Sequence, residues 1–123
     1  MAEERSVVAV AGETIVLPCD VSTSNPPSVR WIDYVYNTGR EPAVISQGAE
    51  VQPTHPNANN FRVNSEYSLT ISSLTGESAG LYICESEVGG TTRRLIYQLS
   101  VYSMLPIYSV ILGHPTIVRR PYV

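Results

Sequence analysis

The sequence predicts an all-β chain folded as an antiparallel sandwich or barrel. Three observations carry that prediction. Short runs rich in β-branched and aromatic residues recur at regular spacing, with Gly, Pro, Asn or Ser between them. No segment keeps a helical period over several turns. The chain has 123 residues, enough to bury one core and too few for two ordinary domains.

The elements follow in order. Residues 6–11 are apolar and stop at Gly12. Residues 14–19 alternate, with Ile15, Leu17 and Cys19 on one side. Residues 22–27 are a Ser/Asn/Pro turn cluster. Residues 28–36 form the next strand, closed by Asn37, Thr38 and Gly39, and 42–46 form a short apolar one. Residues 48–60 are polar and Pro-bearing, so they read as loop with at most a weak edge strand. Residues 61–64 and 67–74 are strands; in the second, Tyr67, Leu69 and Ile71 share a face. Residues 75–79 make a turn, and 80–88 and 91–102 are long strands flanking Gly89-Gly90, a tight hairpin signal.

Composition narrows the function. Apolar residues make up 43%, charged residues 15%, and the net charge is −3, which fits neither a disordered chain nor a basic nucleic-acid binder. The longest candidate for an apolar span, 107–112, is too short to cross a membrane. We therefore expect no nucleic-acid partner and no membrane insertion by this segment. All eight cations are Arg, and the two His are His55 and His114, so His or Lys chemistry has few candidates. Asp20 and Asp33 lie on different strands with no pairing implied, and His55, near Pro53 and Pro56, reads as a structural or solvated loop residue. There is no metal-spaced His/Cys cluster and no phosphate loop. The expectation is no enzyme activity, no cofactor and no metal.

The two Cys, Cys19 and Cys84, fit either buried thiols of a cytosolic protein or one disulfide of an extracellular one; their spacing alone leaves both open. Their surroundings favour the disulfide. Trp31 follows Cys19 by 12 positions, Cys84 follows Trp31 by 53, and Tyr82 precedes Cys84 by two. With GETIVLPC at 12–19, Val29-Arg30-Trp31, and YSLTISSLTGESAGLYIC at 67–84, the chain resembles a variable-type (V-set) domain of the immunoglobulin superfamily over about residues 6–102. The resemblance implies a two-sheet sandwich tied by a Cys19–Cys84 disulfide, with Trp31 packed on it and Tyr82 bonded back to the corner before its strand. Leu17, Leu69 and Ile71 join that core. The Trp-to-Cys separation leaves room for the two extra strands of the variable type.

Two departures refine this. Ser78 stands where the family carries an Asp paired with an Arg, leaving Glu77 as the substitute partner for Arg62. Gly89-Gly90 sits too close to Cys84 for the aromatic-Gly-x-Gly bulge of antigen receptors. The reading is a germline-encoded receptor ectodomain, extracellular or at the cell surface.

Alternation then assigns faces. With Trp31, Cys84, Leu99 and Val101 inward, Arg30, Ile32, Tyr34, Ile83, Glu85, Arg94, Ile96 and Gln98 point outward from the front sheet, joined by Val44. An apolar centre with a charged rim suits a protein partner, a second copy in a homodimer or another V-type domain. The alternative is a secreted V-type defence protein holding a microbial or carbohydrate ligand, with Tyr34, Tyr36, Tyr67 and Tyr108 as stacking candidates. Residues 1–102 are the expected domain. Residues 103–123 are an apolar tail: a strap, an exchanged strand or the start of a second domain. Residues 1–5 lack a leader's basic-then-apolar pattern, so the start reads as a mature segment.

Overall fold

The computed structural model describes residues 2–21, 27–35, 42–108 and 115–121. The loop at 22–26, the turn at 36–41 and most of the 107–112 run lie outside the described residues. The strands are β1 (Ala2–Val10), β2 (Ile15–Leu17), β3 (Ser28–Val35), β4 (Ala43–Gln47), β5 (Glu50–Val51), β6 (Phe61–Val63), β7 (Leu69–Ile71), β8 (Gly80–Val88), β9 (Thr91–Tyr108) and β10 (Pro115–Pro121). The front sheet runs β1-β9-β8-β3-β4-β5, with β10 also on β9; the back sheet is β2-β7-β6.

The centre of the front sheet is the β8–β9 hairpin. Gly89 and Gly90 have φ of 57° and 81°, as a two-residue turn matching strand twist requires. Pairing then runs without a break from Val88↔Thr91 to Gly80↔Leu99. β1 starts at Ala2, four residues before the expected strand, and runs parallel to β9 from Ala2↔Arg94 to Val10↔Tyr102. All of β1 thus belongs to the front sheet. In β4 the register slips beside Trp31/Ile32, so that Trp31 faces Ser46 and Ile32 faces Val44. That bulge turns both Ile45 and Ser46 inward, and the buried Ser46 hydroxyl has no hydrogen-bond partner among the described residues.

The core lies between the sheets. Cys19 and Cys84 form a disulfide with Cα atoms 5.8 Å apart. Trp31, Tyr82, Leu17, Leu69 and Ile71 are each at most 2% exposed in the same cluster. The Tyr82 hydroxyl donates to the Ser78 carbonyl at 2.6 Å, closing the corner before β8. Trp31 Nε1–H donates to the Tyr67 carbonyl at 2.8 Å, and its ring stacks on Tyr97.

Three side chains on the front sheet reach across to the end of β2. Tyr97 donates its hydroxyl to the Pro18 carbonyl. Arg93 donates to the carbonyls of Cys19 and Asp20 at 2.9 and 3.0 Å. Arg5 pairs with the Asp20 carboxylate at 2.8 Å and lies over the Tyr97 ring. These ties hold Asp20 at φ 56°, a left-handed backbone unusual outside Gly. Burial raises the Tyr97 phenol above its ordinary value, opposed by Arg5.

Several expectations change. Tyr67 is not in a strand: it sits at φ 64° before β7, half-buried against the core. It is therefore no exposed stacking platform. Arg62 and Glu77 form no ion pair; Glu77 lies inside the 3-10 turn Gly76–Ser78, where its backbone N–H donates to the capping Thr75 Oγ1. β9 does not stop at Tyr102 but runs to Tyr108, where residues 102–108 pair antiparallel with β10.

Candidate functional site

Cross-strand register arranges the outer face of the front sheet in rows. The central row is Glu4, Ile96, Ile83, Ile32 and Val44, from β1 to β4. Above it, toward the hairpin, lie Arg94, Glu85, Arg30 and Gln47. Below it lie Ser6, Gln98, Leu81 and Tyr34. Every front-face residue expected from alternation falls in one of these rows. The β10 pairing lies wholly at 102–108, past all three.

The apolar centre is less open than alternation alone implies. Ile32, Val44, Ile83 and Ile96 are half-buried, because neighbours on a pleated sheet shield one another. Tyr34 is 43% exposed and is the large apolar side chain of this set most open to solvent. None of the five belongs to the buried core cluster.

The upper row is electrostatically organised. Glu85 accepts from Arg30 Nε on Oε1 and from Arg94 Nε on Oε2, both at 2.8 Å. Arg94 and, against its desolvation, Arg30 hold the Glu85 carboxyl below its ordinary range. Two guanidinium groups share one carboxylate, so the strip keeps a positive excess and unfilled N–H donors. The face can supply apolar contact at its middle and directed hydrogen bonds at one rim.

Sequence reasoning missed several contributors, Gln47 at the end of the upper row among them. Leu81 has the same parity as Ile83 and lies between Gln98 and Tyr34. Glu4 and Ser6 extend the rows onto β1, with Val8 just beyond them opposite Ser100; the alternation reading starts this strand at residue 6 and gives it no face. Asp33 and His55 are both buried, and His55 Nε2 meets Asp33 Oδ2. Because His55 Nδ1 accepts from Asn57 N–H at 2.9 Å, Nε2 carries the proton toward Asp33. This pair fastens the loop after β5 beneath the front sheet, and nothing in the spacing of two residues 22 apart signals it.

Among the described residues no group of His, Cys, Asp and Glu converges as a metal site. No helix among them is long and apolar enough to cross a membrane. Tyr36 lies outside the described residues.

Comparison with known proteins agrees with this geometry. The chain is 36% identical over 84 residues to bovine (Bos taurus) tyrosine-protein phosphatase non-receptor type substrate 1, covering 66% of this chain and 16% of that protein. It thus spans about a sixth of that relative's length. Two crystal structures of the N-terminal four Ig domains of Dscam1, isoforms 7.44 and 4.44, superpose with TM-scores of 0.61 and 0.60 at 18% identity. They cover 83% and 82% of this chain and 23% of each of those chains, and at that identity the likeness is one of fold. Residues 1–87 match the immunoglobulin domain family. With the inter-sheet disulfide, the buried Trp31 and the Tyr82 corner in place, the chain belongs to the immunoglobulin domain family.

Proposed function

We propose that this chain is a variable-type recognition domain from the ectodomain of a cell-surface receptor or adhesion protein. It binds a protein partner through the outer face of its front sheet and performs no chemistry. β4 and β5 support the variable-type reading, because they lengthen the front sheet beyond β3 as that type requires. In this reading residues 1–102 are the recognition domain and 103–123 a tail whose 115–121 strand lies back on 102–108 as a strap.

One observation carries the proposal: a row of Ile96, Ile83, Ile32 and Val44 crosses the sheet directly beside the Arg94–Glu85–Arg30 strip. The row supplies hydrophobic contact, and the strip selects a partner with acidic or hydrogen-bond-accepting groups at its rim. Another V-type domain offers a comparable flat sheet. The Cys19–Cys84 tie holds the face rigid, so binding orders little backbone. The carbohydrate alternative has weaker support, because Tyr67 is withdrawn against the core.

The test uses the multimerised domain on a panel of cell lines, with a glycan array in parallel. Ile83→Arg is expected to lower cell binding at least about thirtyfold, with disulfide and melting temperature unchanged. Undiminished binding by Ile83→Arg, or glycan binding by both forms, overturns the reading.

A further inference from the structure

β1 is the terminal strand of the front sheet, and its hydrogen-bond parity shows which groups remain open. In a parallel pair, alternate residues direct both N–H and C=O to the neighbouring strand. Ala11 N–H donates to the Tyr102 carbonyl, so the odd-numbered residues of β1 face β9. Val10, of the other parity, faces away, and both its groups are taken by Glu13: N–H by the side chain, C=O by the Glu13 N–H. The chain thus caps one outward-facing position itself. Ala2, Glu4, Ser6 and Val8 have the same outward parity, and among the described residues their backbone groups have no partner. Val8 is also the most exposed large apolar side chain among the described residues, at 61%.

We infer that this edge pairs with the β1 of a second copy of the chain, antiparallel across a two-fold axis at Ser6. Three features of the edge select that occupant. The stretch from Glu4 to Val8 is closed under the symmetry: Ser6 meets the partner's Ser6, Glu4 meets the partner's Val8, and Ala2, at the strand's start, falls opposite the capped Val10. Every outward N–H and C=O from Glu4 to Val8 then finds its counterpart, and Val10 stays outside, capped by Glu13. The residue at the axis is small, so the strands approach without a clash. Arg5 does not obstruct, because it is turned inward onto Asp20 and Tyr97. The two front sheets become one continuous sheet, and each recognition face stays open on its outer surface. The inference is independent of what that face binds.

The experiment is sedimentation velocity of the full chain over about a hundredfold concentration range. The expected result is a reversible dimer. Ser6→Pro removes the N–H at the axis and no intrachain bond, since that N–H points away from β9. It should weaken the dimer at least about tenfold at unchanged melting temperature. The register has its own check: Val8→Glu sets a carboxylate against the partner's Glu4 and weakens the dimer, whereas Val8→Lys tightens it. These side-chain variants keep the test decisive if Ser6→Pro fails to fold. A strict monomer overturns the inference, as does a dimer indifferent to Ser6→Pro, Val8→Glu and Val8→Lys. A dimer lost only in Ile83→Arg also overturns it, and assigns self-association to the front face instead.

Discussion

The two sheets are built unequally. Front strands run to 18 residues, while no strand of the back sheet exceeds three. The front sheet therefore holds itself together by long backbone ladders. The back sheet is held by side chains: the Cys19–Cys84 disulfide, the inserted Leu17, Leu69 and Ile71, and the ties from Tyr97, Arg93 and Arg5. A sheet that is stable on its ladders can leave its outer side chains free for recognition. A sheet fastened by side chains cannot, because those side chains point into the core.

The strongest way to break this comparison is to cut the tie between the sheets. Replacing both Cys19 and Cys84 by Ala should lower unfolding free energy by about 4 kcal/mol, read by guanidinium titration. Hydrogen exchange should then show β2 and β7 opening before β8. Simultaneous opening of all three would mean that the back sheet is not the dependent partner. A smaller effect comes from Tyr97→Phe, which keeps the ring on Trp31 and removes the bond to Pro18. We expect a loss of about 1 kcal/mol in the same titration, with the front-face surface unaltered. The smallest effect lies on the face itself. Glu85 has a folded-state value below the ordinary 4.5, so its ion pairs stabilise the fold above that pH and fade as pH falls through the lowered value. Glu85→Gln should therefore flatten the acid limb of the melting-temperature profile. The change should stay under about 1 kcal/mol, because Arg30 and Arg94 are largely solvated.

What could be read from the sequence tracks the same inequality. Along β8 and β9 the period of two is uninterrupted, so an inward Cys84 places Ile83 and Glu85, and inward Leu99 and Val101 place Ile96 and Arg94, on one face. Val44 was placed by the same rule, although a bulge follows it: Ile45 and Ser46 both turn inward, and no pattern in the sequence announces that. Tyr67 looked like a third member of the Leu69–Ile71 face, but a left-handed backbone at that residue breaks the alternation. The allegiance of β1 depends on whether it meets β2 or β9, which is a long-range contact and leaves no local signature. The Asp33–His55 contact is hidden for the same reason. The chemistry of both residues was visible, and their approach depends on a loop path that only the folded chain defines.

The parallel union of β1 and β9 also has a mechanical consequence. Their nine paired positions run in the same direction, from Ala2↔Arg94 to Val10↔Tyr102. A load pulling β1 by its start and β9 by its far end acts along both strands in opposite senses. The hydrogen bonds between them are then sheared together rather than unzipped in turn, so rupture requires many to fail at once. Loaded along this direction, the domain would yield late and abruptly, and the outer face of the front sheet would keep its shape until the strands slide.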